Sequence, residues 1–412
     1  MLGSKLMVIL SVLDKEEKKQ IQKMLKSPFF TNNSHLLSLY HIATKIIEST
    51  EEPLVLEKKE IYKQLFPSKP YSDVKMRNLM RDLTRILEQW IVLKQLRVQP
   101  LAKKKHLAAG LLEKKLLSLH QREINKMKVL LKKEHFGDAS YYRAALEIND
   151  SVYAGIDSAD LKKQVEVLHH ENDLLEQWYQ IKKASINARY KSLSQSINHD
   201  IPLNTSGYFR DFLQKENPVF RLFTSINELY RLRDNSLFQQ IIDDFFLHLE
   251  WISPVNQNTL FSLLLNFAIQ RMKWNDAHYN AMVFQLYKQA LEHNILLQNK
   301  ILSSAAYYNI VNCGAKENAF EWIENFRKKY NSFLHPEQKE ETITLADICL
   351  CFHHNNYKDA IALFNQSAFP SIQKNIVARS ICLRCAYEQF LIKEDYYDFL
   401  ESYSLSFERF VR

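Results

Sequence analysis

Six glycines and ten prolines in 412 residues leave this chain few places to turn sharply. Average usage is roughly 7% Gly and 5% Pro, so both backbone breakers are scarce. Parallel α/β folds need glycine at their phosphate loops, and all-β folds need it at their hairpins. A chain short of glycine but rich in Leu, Lys, Glu and Gln is expected to be helical throughout. At 46% hydrophobic and 25% charged residues it has the composition of a folded protein, not a disordered one. The expected fold class is all-α, with about eighteen helices of ordinary length.

The formal charge of +8 is unevenly spread. Residues 1–140 carry 27 Lys and Arg against 15 Asp and Glu, a net +12, whereas residues 141–412 carry 28 against 32, a net −4. A basic front and a mildly acidic rear suggest two functional zones, or a front that meets an acidic partner. Five cysteines (Cys313, Cys349, Cys351, Cys382 and Cys385) make no even disulfide framework and fit a reducing cytoplasm. The apolar residues 6–13 run straight into Asp14, Glu16 and Glu17 without a small-residue cleavage site, so they read as a first buried segment. No apolar run is long enough to cross a membrane.

Taken in order, residues 1–100 form a first basic helical unit. Asp14 caps a helix that Ser27-Pro28 ends, because the residue before proline avoids the α region. Asn33 or Ser34 restarts a helix with Leu36, Leu39, Tyr40 and Ala43 at helical period. Pro53 breaks it, residues 57–66 form a short helix, and Pro67 and Pro70 bracket a turn. A long helix follows over residues 72–96, its buried stripe made of Met76, Leu79, Met80, Leu83, Leu87, Trp90 and Ile91.

The phrases Ser27-Pro28-Phe29-Phe30 and Glu60-Ile61-Tyr62-Lys63-Gln64-Leu65-Phe66-Pro67, followed by Tyr71, Arg77-Asn78-Leu79-Met80 and Leu83-Thr84, resemble a family of helical proteins from Bacteroidota. The resemblance covers the first quarter of the chain. It implies a bacterial, cytoplasmic protein and supplies no active site. Members of that family run on beyond this length, which implies further residues after Arg412.

Residues 101–200 read as a long-helix region: a segment over 102–134 broken at Gly110 and closed by Gly137 as a left-handed cap, a helix over 139–155, and one long helix or a helical hairpin over 159–196. In the last, Leu161, Val165, Leu168, Asn172, Leu175 and Tyr179 keep a heptad-like spacing. Asn172 in that seam would set the register of a dimer. The pattern breaks at Lys182, so the expected reading is a long helix packed on its neighbours. Residues 198–207 hold Pro202 and Gly207 and place a boundary before a third region, 201–412.

That third region repeats. Tyr357, Ala360 and Phe364 align with Tyr396, Phe399 and Tyr403 at an offset of 39 residues, and Ala319 and Ile323 lie 41 before Ala360 and Phe364. Small and aromatic residues one turn apart let helices approach closely and fill the gap to the next pair. With Pro370 near the terminal position, the pattern resembles a degenerate tetratricopeptide-like solenoid of helical hairpins. The first helix of one pair shows its own stripe of Leu302, Ala305, Ala306, Ile310 and Cys313. Phe407, Phe410 and Val411 end the chain without a polar capping helix, so they are expected at an exposed edge or under a partner.

Signals of chemistry are sparse. Cys349, Cys351, His353, His354, Cys382 and Cys385 have the residue types of a zinc site, but both cysteine pairs fall inside helices, where residues two apart point to opposite sides. They read as small apolar residues. Arg271 and His278 match the Arg-x(4–6)-His spacing of some all-helical ribonucleases, a short pattern with Met272 where a polar residue is usual. No phosphate loop, dinucleotide fingerprint, HExxH or nucleophile elbow occurs. No metal or other cofactor is expected. A basic stripe of Arg77, Arg81, Arg85, Lys103, Lys104, Lys105, Lys114 and Lys115, continued by Lys126, Lys128, Lys132 and Lys133, could neutralise phosphates. Asp73 precedes Arg77 by four and Glu88 follows Arg85 by three, so part of it pairs internally. The sequence therefore favours a non-enzymatic cytoplasmic scaffold presenting a helical surface to a protein or peptide. A nucleic-acid-associated protein is the alternative, and an all-helical ribonuclease a distant third.

Overall fold

The computed structural model describes residues 4–48, 57–133, 136–197, 217–272, 278–298 and 300–412. Among them lie nineteen α-helices and one two-stranded hairpin, so the protein is all-α. It divides into two compact units, residues 1–132 with 150–160, and residues 133–149 with 161–412. These are not the three expected regions. The boundary placed at 198–207 and the break at Pro53 lie outside the described residues.

The first unit is built on α1 (Lys5–Ser11), α2 (Lys15–Leu25), α3 (Ser34–Glu48), α4 (Lys58–Leu65) and α5 (Asp73–Val98). Leu6, Met7 and Leu10 of the apolar start are buried, as expected. Asp14 accepts from the Glu17 backbone N–H while the Glu17 side chain accepts from that of Asp14, a complete capping box. Ser72 caps α5, whose Met76, Leu79, Met80, Leu83, Ile86, Leu87 and Trp90 interlock with Leu39, Tyr40 and Ala43 of α3 and Leu10 of α1. Ile91, expected in that stripe, is exposed; Ile86 stands in its place. The stripe thus ends at Trp90, where α5 outruns the helices that cover it.

Beyond it, α6 (Pro100–Glu113) starts on a proline and α7 (Leu117–Lys133) returns. Gly110 is inside α6 and breaks nothing. The break comes at Lys115, whose φ of 58° lets Leu116 N–H reach the Leu111 carbonyl and Lys115 N–H that of Leu112. This closes the helix as a left-handed glycine would. The same device recurs at Asn294, Asn318 and Asn355, with φ of 57°, 55° and 61°, and none of the described glycines has a positive φ. Buried His120 places its two ring nitrogens at 2.9 Å from the Ala108 carbonyl and 3.0 Å from that of Ser151, joining three segments of this unit.

In the second unit, Gly137 is not a left-handed cap. Its carbonyl accepts from Asn217 at 2.7 Å, and a Cβ there would stand 2.9 Å from the same amide, so a side chain at this position would have to displace that amide. Buried Asp138 caps α8 (Ala139–Ala154), accepting from Ser140 and Tyr141, and also accepts from Ser253 and from Asn256 at 2.8 Å. The long helix α9 (Leu161–Ile197) packs on α10 (Pro218–Leu232) and α12 (Pro254–Met272), with α11 (Asn235–Leu247) alongside α10. It does pack on its neighbours, but through Leu174, Ile181, Ala184 and Ala188; the heptad-like seam is exposed.

Tyr279, Tyr287, Tyr307, Phe220, Phe223, Phe238 and Phe245 are the largest fully buried side chains of the main core. After α13 (His278–Glu292), a short hairpin pairs Leu297 with Leu302 and Gln298 with Ile301. The chain then continues as α14 (Ser304–Lys316), α15 (Phe320–Tyr330), α16 (Pro336–His353), α17 (Tyr357–Asn365), α18 (Ile372–Ile392) and α19 (Tyr397–Val411). Each of α14, α16 and α18 packs on the helix that follows it, and α14 on α16, and α16 on α18. Of the expected stripe Leu302, Ile310 and Cys313 are buried, Ala306 is half-buried and Ala305 is exposed; Tyr307, Val311, Gly314 and Ala315 complete the buried set of α14. A Cβ on Gly314 would sit 3.0 Å from both Ile323 and Phe284, so three helices meet at that glycine.

Candidate functional site

Between α16, α18 and α19 lies a concave surface of about 590 Å³, floored by Phe352, Leu383 and Leu400 and rimmed by Arg384, Tyr387 and Tyr397. It exists because α18 uses two faces. Ala378, Ile381, Cys382 and Cys385 bury one stripe against α16 and α17, and Leu383 and Tyr387, one turn apart, hold a second stripe open. Tyr387 is 49% exposed, Tyr397 55% and Leu405 47%, and two residues of opposite charge, Arg384 and Glu401, also line the surface. A second hollow of about 470 Å³ borders the turn before α17 and includes Tyr357, Lys358 and Tyr396.

The repeat residues sit beside these hollows, in a register different from the expected one. Ala319 and Asn356 both precede the first residue of their helices, and the left-handed Asn318 and Asn355 are 37 residues apart. Buried Ile323 therefore matches buried Ala360, one helical turn away from the alignment of Ala319 with Ala360. In α19 the matching residue is Leu400, and Phe399 is 39% exposed. Tyr357 and Phe364 are half-buried; Tyr403 packs on the core with Ala360, Cys382 and Cys385. Arg379 stacks between Phe364 at 5.4 Å and Phe410 at 4.4 Å. Phe410 and Val411 are exposed and Phe407 is half-buried.

The basic residues do not form one patch. Arg77, Arg81 and Arg85 stand one turn apart on the exposed face of α5, where Arg77 pairs with Asp73 at 2.9 Å and Arg81 with Asp82 at 3.5 Å. Glu88, expected beside Arg85, pairs instead with Lys5. Lys103, Lys104 and Lys105 are consecutive on α6 and so fan out by about 100° each. Lys104 turns inward to Glu123 at 2.9 Å, and Lys126 meets the same carboxylate at 2.5 Å. These two lysines, Lys126 first, hold the Glu123 carboxyl below its ordinary range. Lys103, Lys114 and Lys115 are exposed.

The cysteines are held as thiols. Burial pushes Cys349 and Cys385 up to about 12 and Cys313 and Cys382 up to about 11, and it raises Cys351 as well. No group of three His, Cys, Asp or Glu able to hold a metal occurs among the described residues. His353, lowered by burial, lies 3.4 Å from Asn312, and His354 stacks on Phe320. Arg271 reaches Asn235 at 3.5 Å and packs over Tyr279, whose hydroxyl donates to the same Asn235 at 2.6 Å. The side chain of His278 lies outside the described residues.

The sequence had a signal for the groove, in the Leu383–Tyr387 pair set off from the buried stripe of α18. What it lacked was the placement of α19 opposite that pair. Among the described residues no helix is long and apolar enough to cross a membrane. Compared with family profiles, with curated proteins and with solved structures, the chain matches none.

Proposed function

We propose that this protein is a non-enzymatic scaffold whose helices from α14 onward form a degenerate tetratricopeptide-like solenoid, and that a protein or peptide partner docks in the α16–α18–α19 groove. The observation that carries the reading is the groove itself, an apolar floor with tyrosines at its rim. Tyrosine supplies large contact area at low conformational cost and is enriched where interfaces concentrate their energy. Arg384 and Glu401 would fix the orientation of a segment that offers both an apolar anchor and a charge. The first-quarter resemblance to helical proteins of Bacteroidota fits a bacterial, cytoplasmic setting for such a scaffold.

Affinity capture from a bacterial lysate, with and without nuclease, tests it. The expected result is a specific protein that survives nuclease and is lost with Tyr387→Asp, while the helicity of the variant is unchanged. Capture that disappears on nuclease treatment, or that ignores Tyr387→Asp, would overturn the proposal. The alternative of nucleic-acid binding rests on the exposed Arg77, Arg81 and Arg85 face.

A further inference from the structure

We infer that two copies of this protein pair through α9, antiparallel, along its exposed seam. The helix is 37 residues long, and its described buried residues lie on the side opposite the seam. The seam does not stop at Lys182. After that position and Arg189, the same alternating spacing reaches Ile186 and Leu193, so ten positions span about 48 Å. The seven large apolar side chains on it are each between 46% and 67% exposed. That is nearly five heptads of sustained pattern, more than the three or four a coiled coil needs.

The occupant follows from charge and register. Residues 164–177 carry Glu166, Glu171, Asp173 and Glu176 and no Lys or Arg, whereas residues 178–190 carry Lys182, Lys183 and Arg189 and no acid; Lys162 and Lys163 precede the acidic stretch, and Lys191 turns inward to the Asn227 carbonyl at 3.0 Å. The acidic stretch is thus complementary to the basic stretch of a second copy running the opposite way. With the two-fold axis level with Gln177, Leu161 meets Leu193, Leu168 meets Ile186, and Leu175 meets Tyr179 of the other chain. The polar layers agree as well: Asn172 faces Lys182, as a hydrogen-bond acceptor for its ammonium, and Arg189 faces Val165, over which its stem lies. A parallel pair would stack Lys182 on Lys182 and Arg189 on Arg189, and acidic stretch on acidic stretch. Self-complementarity of this kind is the signature of an isologous contact.

Sedimentation of the full chain from low to high micromolar concentration tests the pairing. The expected mass is twice the 48.8 kDa of one chain. Leu168→Asp and Ile186→Lys, each alone, are expected to give monomers of unchanged helicity. Combined in one chain they are expected to restore the dimer, because the new carboxylate then faces the new ammonium only in the antiparallel register. A wild-type monomer at every concentration overturns the inference, and so does a dimer that survives Leu168→Asp. Failure of the double variant to recover overturns the antiparallel register. Loss of helicity in either single variant would mean that the seam is covered within its own chain, which also overturns it. None of these readouts involves Tyr387, so failure here is distinguishable from failure of the groove.

Discussion

Glu123 shows how a residue that looks like part of a binding surface can be committed to folding. Its carboxylate lies between Lys126 and Lys104, and those hydrogen bonds lower its pKa from an ordinary 4.5. A group whose folded-state pKa is depressed contributes stability that is full above the unfolded value and is lost as pH falls through the folded one. Glu123→Gln is therefore expected to lower the melting temperature at neutral pH, at a cost of about 1 kcal/mol. The gap between variant and wild type is expected to close as pH falls below about 4.5. Thermal unfolding followed at pH 7, 5 and 3.5 checks this, and a gap that stays constant across the series would sink it. The same contact subtracts Lys104 from the basic stripe. Sequence showed the lysine and the glutamate; it did not show that nineteen positions of chain fold back to join them.

The helices themselves were largely legible, because capping boxes, proline starts and apolar period are all local signals. Asp14, Ser72 and the stripe from Met76 to Trp90 behave as such signals require. Helix ends were harder. With glycine scarce, Gly110 and Gly137 drew attention that belonged to Lys115 and the asparagines, since a left-handed residue other than glycine leaves little trace in sequence. That same gap put the alignment of Ala319 with Ala360 out by one turn, for Asn318 and Asn355 are the left-handed residues that precede the two helices. The open stripe of α18 and the seam of α9 were legible only as faces, for a different reason: apolar residues at helical period say that a face exists, not what lies against it. The strain at the stops is testable. A side chain with a Cβ costs roughly 1–2 kcal/mol in the left-handed region, and asparagine tolerates it better than lysine. Lys115→Gly is thus expected to raise stability by about 0.5–1 kcal/mol after the extra freedom of glycine in the unfolded chain is subtracted. Asn355→Ala is expected to lower it. Urea titration of both variants measures the two signs, and a destabilised Lys115→Gly would refute the account.

Over the whole molecule the question is what the basic front does with its excess of twelve positive charges. Net charge acts at a distance and governs nonspecific association more than fold. Here the charge is dispersed, Arg77 and Lys104 are paired with acids, and the consecutive lysines of α6 point in different directions. Such a surface attracts a polyanion at low ionic strength without holding it in register. The expected behaviour is weak, sequence-independent binding of duplex DNA or RNA that disappears near physiological salt. Each phosphate contact contributes about 0.9 to the slope of log affinity against log salt on duplex DNA, so replacing Arg77, Arg81 and Arg85 together by Ala is expected to flatten that slope by at most about 2.7. A fluorescence-anisotropy titration across salt concentrations measures it directly. A complex that persists in high salt and prefers one sequence would reverse the ranking, because only built contacts to bases or to nucleic-acid shape give that behaviour. A complex that weakens steeply yet ignores the three arginines would place the contact on Lys103, Lys114 and Lys115 instead, at the exposed end of α6.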